Sequence, residues 1–501
     1  MAKSIMANSA LNAAAGMTML LTGFVSAIAA ARLLGPEANG VIAFSYWLTT
    51  SGTLIAGLGA DVILPRVLPQ LKTQGMADAR RRGFAAYFAR AVIAAVVILL
   101  CLYILSFWES ERLHWAPSAP GVALVTGILF FVQAIGMLSI NFLIAEQRLE
   151  TFFRLTLLSC ILQLVTVFAG ASLYSIEGAL IGYILGQAAF FLYTLNLLRT
   201  RADSCGLRPA YLARMSVIIS LQIFIEAIFL NRIELLFLQR FLNVESVGFY
   251  AIGLSLANLA LQLPVQATGS LVPYYTEQLQ ARGSRRLPVH FFAGVMRSLA
   301  YITMPMSFGL AAISPELVVA IFGEPFRPAA GIVALLALSA PLAVFTSVST
   351  KYMFATDLEK QRTTIGALGA IVMVVGCIVL VPALGGEGAA ITRIVVGLFM
   401  SVLMVRRMDF EGSLAPMYWS ILRISAAALA CAATAYLIGN EIGGIMGLIV
   451  AIASGAVVYA ICLRLVRAVP RADFAMIEPI MDRLPRRMSR QAKRVFALVT
   501  T

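Results

Sequence analysis

The sequence contains little charge and almost no histidine. Only 12% of its 501 residues are charged and only two are histidines, whereas about a quarter of the residues of a soluble domain are charged. We therefore expect neither a soluble protein of this size nor a histidine-based metal site. The six cysteines are scattered, without metal-ligand spacing or a paired pattern, and we interpret them as small core residues.

The sequence also lacks the motifs that carry common catalytic and nucleotide chemistry. It has no Walker loop, no HExxH motif, no nucleophile elbow and no dinucleotide fingerprint after a strand. We therefore predict that the chain is not an enzyme, holds no metal or cofactor, and does not drive transport with ATP bound to itself.

Long apolar runs are what the sequence does contain. Hydrophobic residues make up 60% of the chain, the mean hydropathy is +0.89, and the apolar runs have the length of about 20 residues that a helix needs to cross a bilayer. We predict an all-α polytopic membrane protein with about 14 transmembrane helices. The predicted spans, numbered in chain order, are Leu11–Leu34, Val41–Leu64, Phe84–Phe107, Gly121–Ala145, Phe153–Tyr174, Gly178–Leu198, Met215–Leu238, Val247–Val272, Phe291–Ile313, Ala329–Val348, Thr364–Ala383, Gly388–Val405, Tyr418–Ile438 and Gly443–Leu465.

The distribution of charge between the spans predicts their orientation. The net charge of +14 arises because long loops on one side are rich in lysine and arginine, while the loops on the other side are short and often carry one glutamate. Basic loops remain in the cytoplasm. We therefore predict that both termini are cytoplasmic, and we attribute the positive charge to this rule rather than to nucleic-acid binding.

An internal repeat is the most informative feature of the sequence. Residues 32–43 read RLLGPEANGVIA at the end of the first span, and residues 240–251 read RFLNVESVGFYA at the end of the seventh, an offset of 208 residues. Pro65 and Pro273 keep this offset beyond the next span. Residues 177–179 and 387–389 both read EGA, at an offset of 210 residues. We infer two tandem repeats of six helices.

The repeat divides the chain into lobes. We predict an N-lobe over residues 1–200, a C-lobe over 208–410, a pair of helices over 411–466 and a basic amphipathic tail over 467–501. Because six helices is an even number, the lobes should share one orientation, with a substrate path between them. The tail is predicted to lie on anionic lipid, with binding to a partner protein as the alternative.

Charged residues inside the spans are costly in lipid and are candidates for function. The seventh span contains Glu226, Asn231, Arg232 and Glu234. These residues form either a polar wall of a central cavity or interhelical hydrogen bonds that hold helices together. Asp61, near the end of the second span, is a candidate for proton or sodium coupling, with a structural role beside a cytoplasmic arginine as the alternative.

Arginines predominate among the charges inside the spans. Arg32 and Arg240 are repeat equivalents at the ends of spans one and seven, where they either bind an anion or anchor the helix at the interface. Arg297 in the ninth span is a cavity candidate, and Arg393 lies in the twelfth. Together with Arg232 they form a candidate cationic path, which favours an anionic substrate in a medium of low dielectric constant.

Three segments resemble the polysaccharide transporter family, which includes the O-antigen and exopolysaccharide flippases. Its RLLGPxxxG signature is similar to residues 32–40, its seventh-helix pattern to 232–250, where Glu234 replaces a commoner aspartate, and a later short segment to 321–326. The resemblance implies the multidrug/oligosaccharidyl-lipid/polysaccharide exporter superfamily, alternating access and the bacterial inner membrane.

The same resemblance implies the substrate and the partners. The substrate would be a polyprenyl-pyrophosphate-linked oligosaccharide, moved with possible proton or sodium coupling and with no other cofactor. Membrane lipids, a polysaccharide polymerase and a chain-length protein are the candidate partners, and spans thirteen and fourteen would form a groove for the lipid tail. Two alternatives stay open: a multidrug exporter, and a membrane glycosyltransferase, polymerase or ligase.

Overall fold

The computed structural model describes residues 2–108, 119–230, 232–268, 271–282 and 286–470. Within these ranges the chain is almost entirely helical. Two-residue strands, β1 (Leu287–Pro288) and β2 (Phe410–Glu411), pair in parallel. The helices are α1 (Ala2–Ala56), α2 (Ala60–Thr73), α3 (Asp78–Trp108), α4 (Pro120–Ala145), α5 (Leu149–Leu198), α6 (Pro209–Ile223), α7 (Glu234–Phe241), α8 (Val244–Ala267), α9 (Leu271–Arg282), α10 (Val289–Ala312), α11 (Ser314–Phe322), α12 (Ala330–Ala355), α13 (Glu359–Arg407), α14 (Ala415–Ile442) and α15 (Gly444–Leu465).

Three of these helices are too long for a single crossing, and each is divided by a non-helical residue. Helices α1, α5 and α13 contain 55, 50 and 49 residues. Their breaks fall at Gly35 (φ 82°), at Ser175 (φ 56°) and at Gly385 (φ 60°). Each break lies between two predicted spans. The three helices therefore provide six of the predicted crossings.

The remaining helices complete the predicted number. In the described part of the chain, nine helices are long and apolar enough to span a membrane, and α10 and α11, which meet at a bend of 76°, make a tenth when they are counted together. Each of the three long helices counts as two spans, and the pieces of the seventh span count together as one. All fourteen predicted spans are then accounted for. The predicted fold class is confirmed.

The contacts divide the chain into two compact units, with the boundary between Ala251 and Ile252. In the first unit, an apolar core is built on α1 to α6 around fully buried rings such as Phe84, Phe142 and Phe190. The second unit has its own buried side chains, among them Phe292 and Tyr352. The unit boundary follows contacts, whereas the predicted lobes follow the sequence repeat, and the lobe boundaries stay a prediction. Most of the tail, from residue 471 onward, lies outside the described residues.

The repeat is visible in the side-chain contacts of each unit. Glu177, just after the break in α5, places its carboxylate against Gly121 at the start of α4. Glu387, just after the break in α13, places its carboxylate against Gly331 at the start of α12 in the same way. The two pairs differ by 210 residues at both positions. A carboxylate is stabilised at a helix N-terminus by the helix dipole.

The two halves of α5, and likewise the two halves of α13, also approach each other closely across their breaks. A Cβ on Gly178 would overlap the backbone carbonyl of Gly170, and a Cβ on Gly388 would overlap the backbone carbonyl of Leu380. These pairs also keep the offset of 210 residues. A glycine at the same position of each repeat, Gly178 and Gly388, therefore permits the close approach, as small residues commonly do between membrane helices.

Candidate functional site

The second predicted span is broken, although its hydropathy predicts a continuous helix. The helix ends at Ala56 and resumes at Ala60, and between them Leu58 and Gly59 have φ angles of 51° and 75°. Discontinuous membrane helices often form substrate and ion sites, because their half-helix ends point into the protein. Asp61 lies in the first turn of α2, directly after this break, and is exposed.

The seventh span is also interrupted. Helix α6 ends at Ile223, a π-helical segment runs over Phe224–Leu230, and α7 begins at Glu234. π-helical turns occur frequently at functional sites. Asn231 lies outside the described residues, as does the side chain of Glu226, whose backbone belongs to the π-helical segment. The span is a set of short pieces rather than the continuous helix that its hydropathy suggests.

Glu234 is fully buried and is held by a hydrogen bond. The Tyr250 hydroxyl donates to Oε1 of Glu234 over 3.1 Å, and both side chains are completely inaccessible to solvent. The repeat equivalent of Glu234 is Ser26, which is also fully buried and accepts a hydrogen bond of 3.2 Å from Nε2 of Gln163. The two repeats therefore place an interhelical polar contact at the same position.

Further polar side chains surround this part of the first unit. Arg232 is half-buried and acts electrostatically on the hydroxyl of Tyr46 in α1. The Tyr46 ring lies 5.4 Å from the ring of Tyr183 in α5, and Tyr183 is the repeat equivalent of Arg393. Nearby along α1, the Thr50 hydroxyl accepts a hydrogen bond of 3.2 Å from Nε2 of Gln133 in α4.

The other predicted arginines differ in burial. Arg297 in α10 and Arg393 in α13 are half-buried within the second unit, whereas Arg32 and Arg240 are exposed. Across the described ranges, no ion pair joins Arg240 to a carboxylate. Nor does one join Asp61 to a cytoplasmic arginine. Arg232 acts on Tyr46 in the first unit, and the cationic path itself stays a prediction.

The repeated segments 32–43 and 240–251 contact each other directly. A Cβ on Gly40 would overlap the backbone carbonyl of Val244, and a Cβ on Gly248 would overlap the backbone carbonyl of Pro36. Gly40 and Gly248 are repeat equivalents, and so are Pro36 and Val244, at the common offset of 208 residues. The contact is therefore reciprocal. Asn39 adds a hydrogen bond of 3.3 Å from its Nδ2 to the carbonyl of Gly248.

This role of the glycines was not predicted. Their motif indicated the repeat, and the predicted function lay with the neighbouring arginines. The informative pattern was that a glycine recurs at the same offset just after each helix end, where close backbone approach is the usual reason for glycine. We call residues 36–40 and 244–248 the junction contact.

The described part of the chain contains no cluster of three histidine, cysteine, aspartate or glutamate side chains that could hold a metal ion. Its chemistry is therefore that of helix breaks, buried hydrogen bonds and half-buried arginines.

Comparison with known proteins gives a family and a fold. A family profile described as polysaccharide biosynthesis protein matches residues 29–331, and no curated protein sequence matches the chain. The solved lipid II flippase MurJ, in an inward closed conformation, superimposes with a TM-score of 0.70 at 13% identity, covering 90% of this chain and 98% of that one.

Two further structures have the same fold. An inward-facing multidrug resistance MATE family transporter of the MOP superfamily gives a TM-score of 0.58 at 13% identity, covering 80% of this chain and 96% of that one. A MOP superfamily transporter from Pyrococcus furiosus gives 0.51 at 15% identity, covering 81% and 95%. These proteins are a flippase and transporters rather than enzymes. The family profile thus confirms the predicted polysaccharide family, and the solved structures show its fold.

Proposed function

Because the chain belongs to the family of polysaccharide biosynthesis proteins and has the fold of the MOP transporters, we propose that it is a flippase. Its substrate would be a polyprenyl-pyrophosphate-linked oligosaccharide, moved from the cytoplasmic to the periplasmic leaflet of a bacterial inner membrane. Alternating access between the two predicted lobes would be the mechanism. A polysaccharide polymerase and a chain-length protein remain candidate partners.

The observation that carries this proposal is the junction contact. Two equivalent helix ends meet through glycine on one side and a backbone carbonyl on the other, and they do so twice with the roles exchanged. The contact is made by backbone atoms and by the hydrogen bond of Asn39, short-range interactions that are lost once the helices separate. It can therefore exist in two discrete states, open and closed, as alternating access requires. In the predicted orientation it lies at the periplasmic end.

The half-buried arginines favour a negatively charged substrate. Arg232, Arg297 and Arg393 lie within membrane-spanning segments and are only partly accessible. Charged residues at such positions usually face a cavity or a partner group. A pyrophosphate offers arginine the bidentate hydrogen bonds that its planar guanidinium favours. Asp61 and Glu226 remain candidates for proton or sodium coupling.

Deletion of the gene in its host tests the proposal. We expect loss of surface polysaccharide and accumulation of lipid-linked repeat units in the cytoplasmic leaflet, both restored by the wild-type chain. Complementation with Arg232→Ala should fail, while Arg154→Ala should succeed, because Arg154 is exposed and pairs with Glu150 four residues away on the same helix. Normal polymer output in the clean deletion would refute the proposal.

A second candidate function is export of organic cations or drugs, which the fold shared with a multidrug transporter favours. The half-buried arginines oppose it, because they repel a cation. Dye efflux in a host that lacks its own pumps would support drug export, provided that Glu226→Gln abolishes the efflux. Absence of efflux from cells with normal amounts of the protein would remove this candidate.

A further inference from the structure

A small cavity with charged and polar residues in its lining lies in the first unit where α3 begins and where α4 and α5 end. Its volume is about 180 Å³, which corresponds to roughly six water molecules in liquid water. It can hold a phosphate group with its ester oxygens, but not an oligosaccharide. The lining residues are Arg82, Phe142, Tyr193, Asn196, Leu197, Arg199 and Thr200.

The charge around this cavity is positive even after the ion pairs are counted. Asp78 is shared by three arginines, with distances of 2.9 Å to Nε of Arg82, 2.6 Å to Nη2 of Arg148 and 3.4 Å to Nη2 of Arg81. Arg81 also forms a buried pair with Glu146. Burial favours the neutral form of Asp78, but the hydrogen bond from Arg148 and the arginine charges hold its pKa below the usual value. One carboxylate therefore cannot neutralise the arginines that share it.

Arg199 adds a charge with no counterion. It lines the cavity, and no ion pair in the described ranges includes it. The carbonyl groups at the end of α5 are already used, because those of Asn196 and Leu197 accept hydrogen bonds from the backbone N–H groups of Arg199 and Thr200. The negative end of the helix therefore opposes an anion only weakly.

Neutral donors complete the lining. Within the described ranges, neither the hydroxyl of Tyr193 nor the side-chain amide of Asn196 has a hydrogen-bond partner, and both residues face the cavity. Phe142 closes one wall and stacks under Arg148, whose guanidinium carbon lies 5.9 Å from the ring centre. Two arginines, a tyrosine and an asparagine thus line a space of the size of a phosphate.

We propose that this cavity binds the phosphate of an anionic phospholipid from the cytoplasmic leaflet. The predicted orientation places it at the cytoplasmic membrane surface, where basic pockets between transmembrane helices bind acidic headgroups. We assign the cavity to a bilayer lipid rather than to the transported substrate, because acidic headgroups are the anions present along the cytoplasmic surface of the membrane. This inference depends on the membrane orientation and not on the proposed flippase activity.

Lipid binding to delipidated protein in detergent, counted by native mass spectrometry, tests the proposal. We expect the wild-type chain to retain phosphatidylglycerol more strongly than phosphatidylcholine. Arg199→Gln should weaken phosphatidylglycerol binding about five-fold, the factor that corresponds to about 1 kcal/mol per basic residue at an anionic surface. Among the described residues no side chain pairs with the guanidinium of Arg199, so this variant should fold normally.

A matched variant and a competitor decide the outcome. Arg154→Gln removes the same charge from an exposed pair away from the cavity and should bind as the wild type does. Equal binding of phosphatidylglycerol by Arg199→Gln and the wild type would overturn the proposal. Displacement of phosphatidylglycerol from the wild type by a polyprenyl pyrophosphate, but not from Arg199→Gln, would assign the cavity to the substrate and overturn the assignment to a bilayer lipid.

Discussion

Replacing Gly40 or Gly248 with alanine adds a methyl group where the backbones of two helices meet. The added Cβ would lie less than 3.0 Å from the carbonyl oxygen of Val244 or of Pro36, closer than Cβ atoms come in folded proteins. Because the obstructing atoms belong to the backbone, a side-chain rotation cannot relieve the overlap. The helices must separate for the variant to be accommodated.

The size of the effect follows from overpacking. Extra methyl groups in a well-packed contact cost about 1–3 kcal/mol, which shifts an equilibrium between two states by roughly 5- to 150-fold. We therefore expect each variant to depopulate the closed junction contact by this factor and to lower transport. The double variant should cost less than the sum of the two, because the first substitution already separates the helices.

Amide hydrogen exchange at residues 36–40 and 244–248, together with polysaccharide output in cells, measures both consequences. Exchange should become faster at both segments even when only one glycine is replaced, since the contact is reciprocal. Gly23→Ala is the matched control, because Gly23 lies in the same helix with nothing within 4 Å of an added Cβ. It should be neutral or slightly stabilising, since alanine favours helix over glycine by about 0.5–1 kcal/mol.

The reasoning fails if Gly40→Ala and Gly248→Ala behave as Gly23→Ala does in both measurements. Faster exchange across the whole first unit, rather than at the junction contact, would mean that the variants disturb folding instead of this contact.

Three further predictions concern charged side chains. Arg297→Ala should lower export while Arg297→Lys keeps part of it, because Arg297 is half-buried in the membrane, and normal output from the alanine variant would argue against a cationic path. Glu146→Gln should lower the free energy of unfolding by about 3 kcal/mol, seen as a lower Tm in detergent. The reason is that Arg81 and Glu146 form a buried pair with 10% and 3% of their side chains exposed, and an unchanged Tm would contradict this. Glu177→Gln and Glu387→Gln should each cost about 0.3–1 kcal/mol, and a clearly larger cost for one would mean that the two repeats do not use these carboxylates equally.

Much of the fold was predictable because hydropathy and repetition report directly on membrane crossing. The divided helices α1, α5 and α13 were each predicted as two spans, since about 20 apolar residues suffice for one crossing. The breaks at Gly35 and Gly385 follow from glycine, which adopts positive φ without steric cost. The break at Ser175 contains no glycine. It was expected only because one apolar run ends and the next begins there.

The breaks inside spans two and seven were not predicted. Hydropathy measures whether a residue prefers lipid and carries no information on backbone angles. In the second span, Gly57 and Gly59 in an apolar run were the available indication, since paired glycines weaken a helix. In the seventh span, the π-helical segment Phe224–Leu230 contains neither glycine nor proline. Its conformation depends on tertiary contacts that no local pattern reveals.

The candidate site was predictable only in its residue types. Sequence alone identified Arg232 and Glu234 as costly residues in lipid, but not that Tyr250 would donate a hydrogen bond to Glu234. The importance of Gly40 depends on a backbone carbonyl about 200 residues away. A glycine has no side chain whose chemistry could point to that partner, so only the structure could show it.

The two repeats match at one end and differ at the other, and the difference follows from what each end contacts. At the junction contact, equivalent glycines must fit equivalent carbonyls, so a change in one segment would disturb the other. At the opposite ends no such reciprocity holds: the buried pair of Arg81 and Glu146 has Val289 and Thr356 at the corresponding positions of the second repeat. There Tyr352 instead packs with its ring 4.9 Å from that of Phe410. Because the two repeats do not have to match each other at this end, the first repeat can keep a surplus of arginine there. An anionic headgroup is the ligand that this surplus favours.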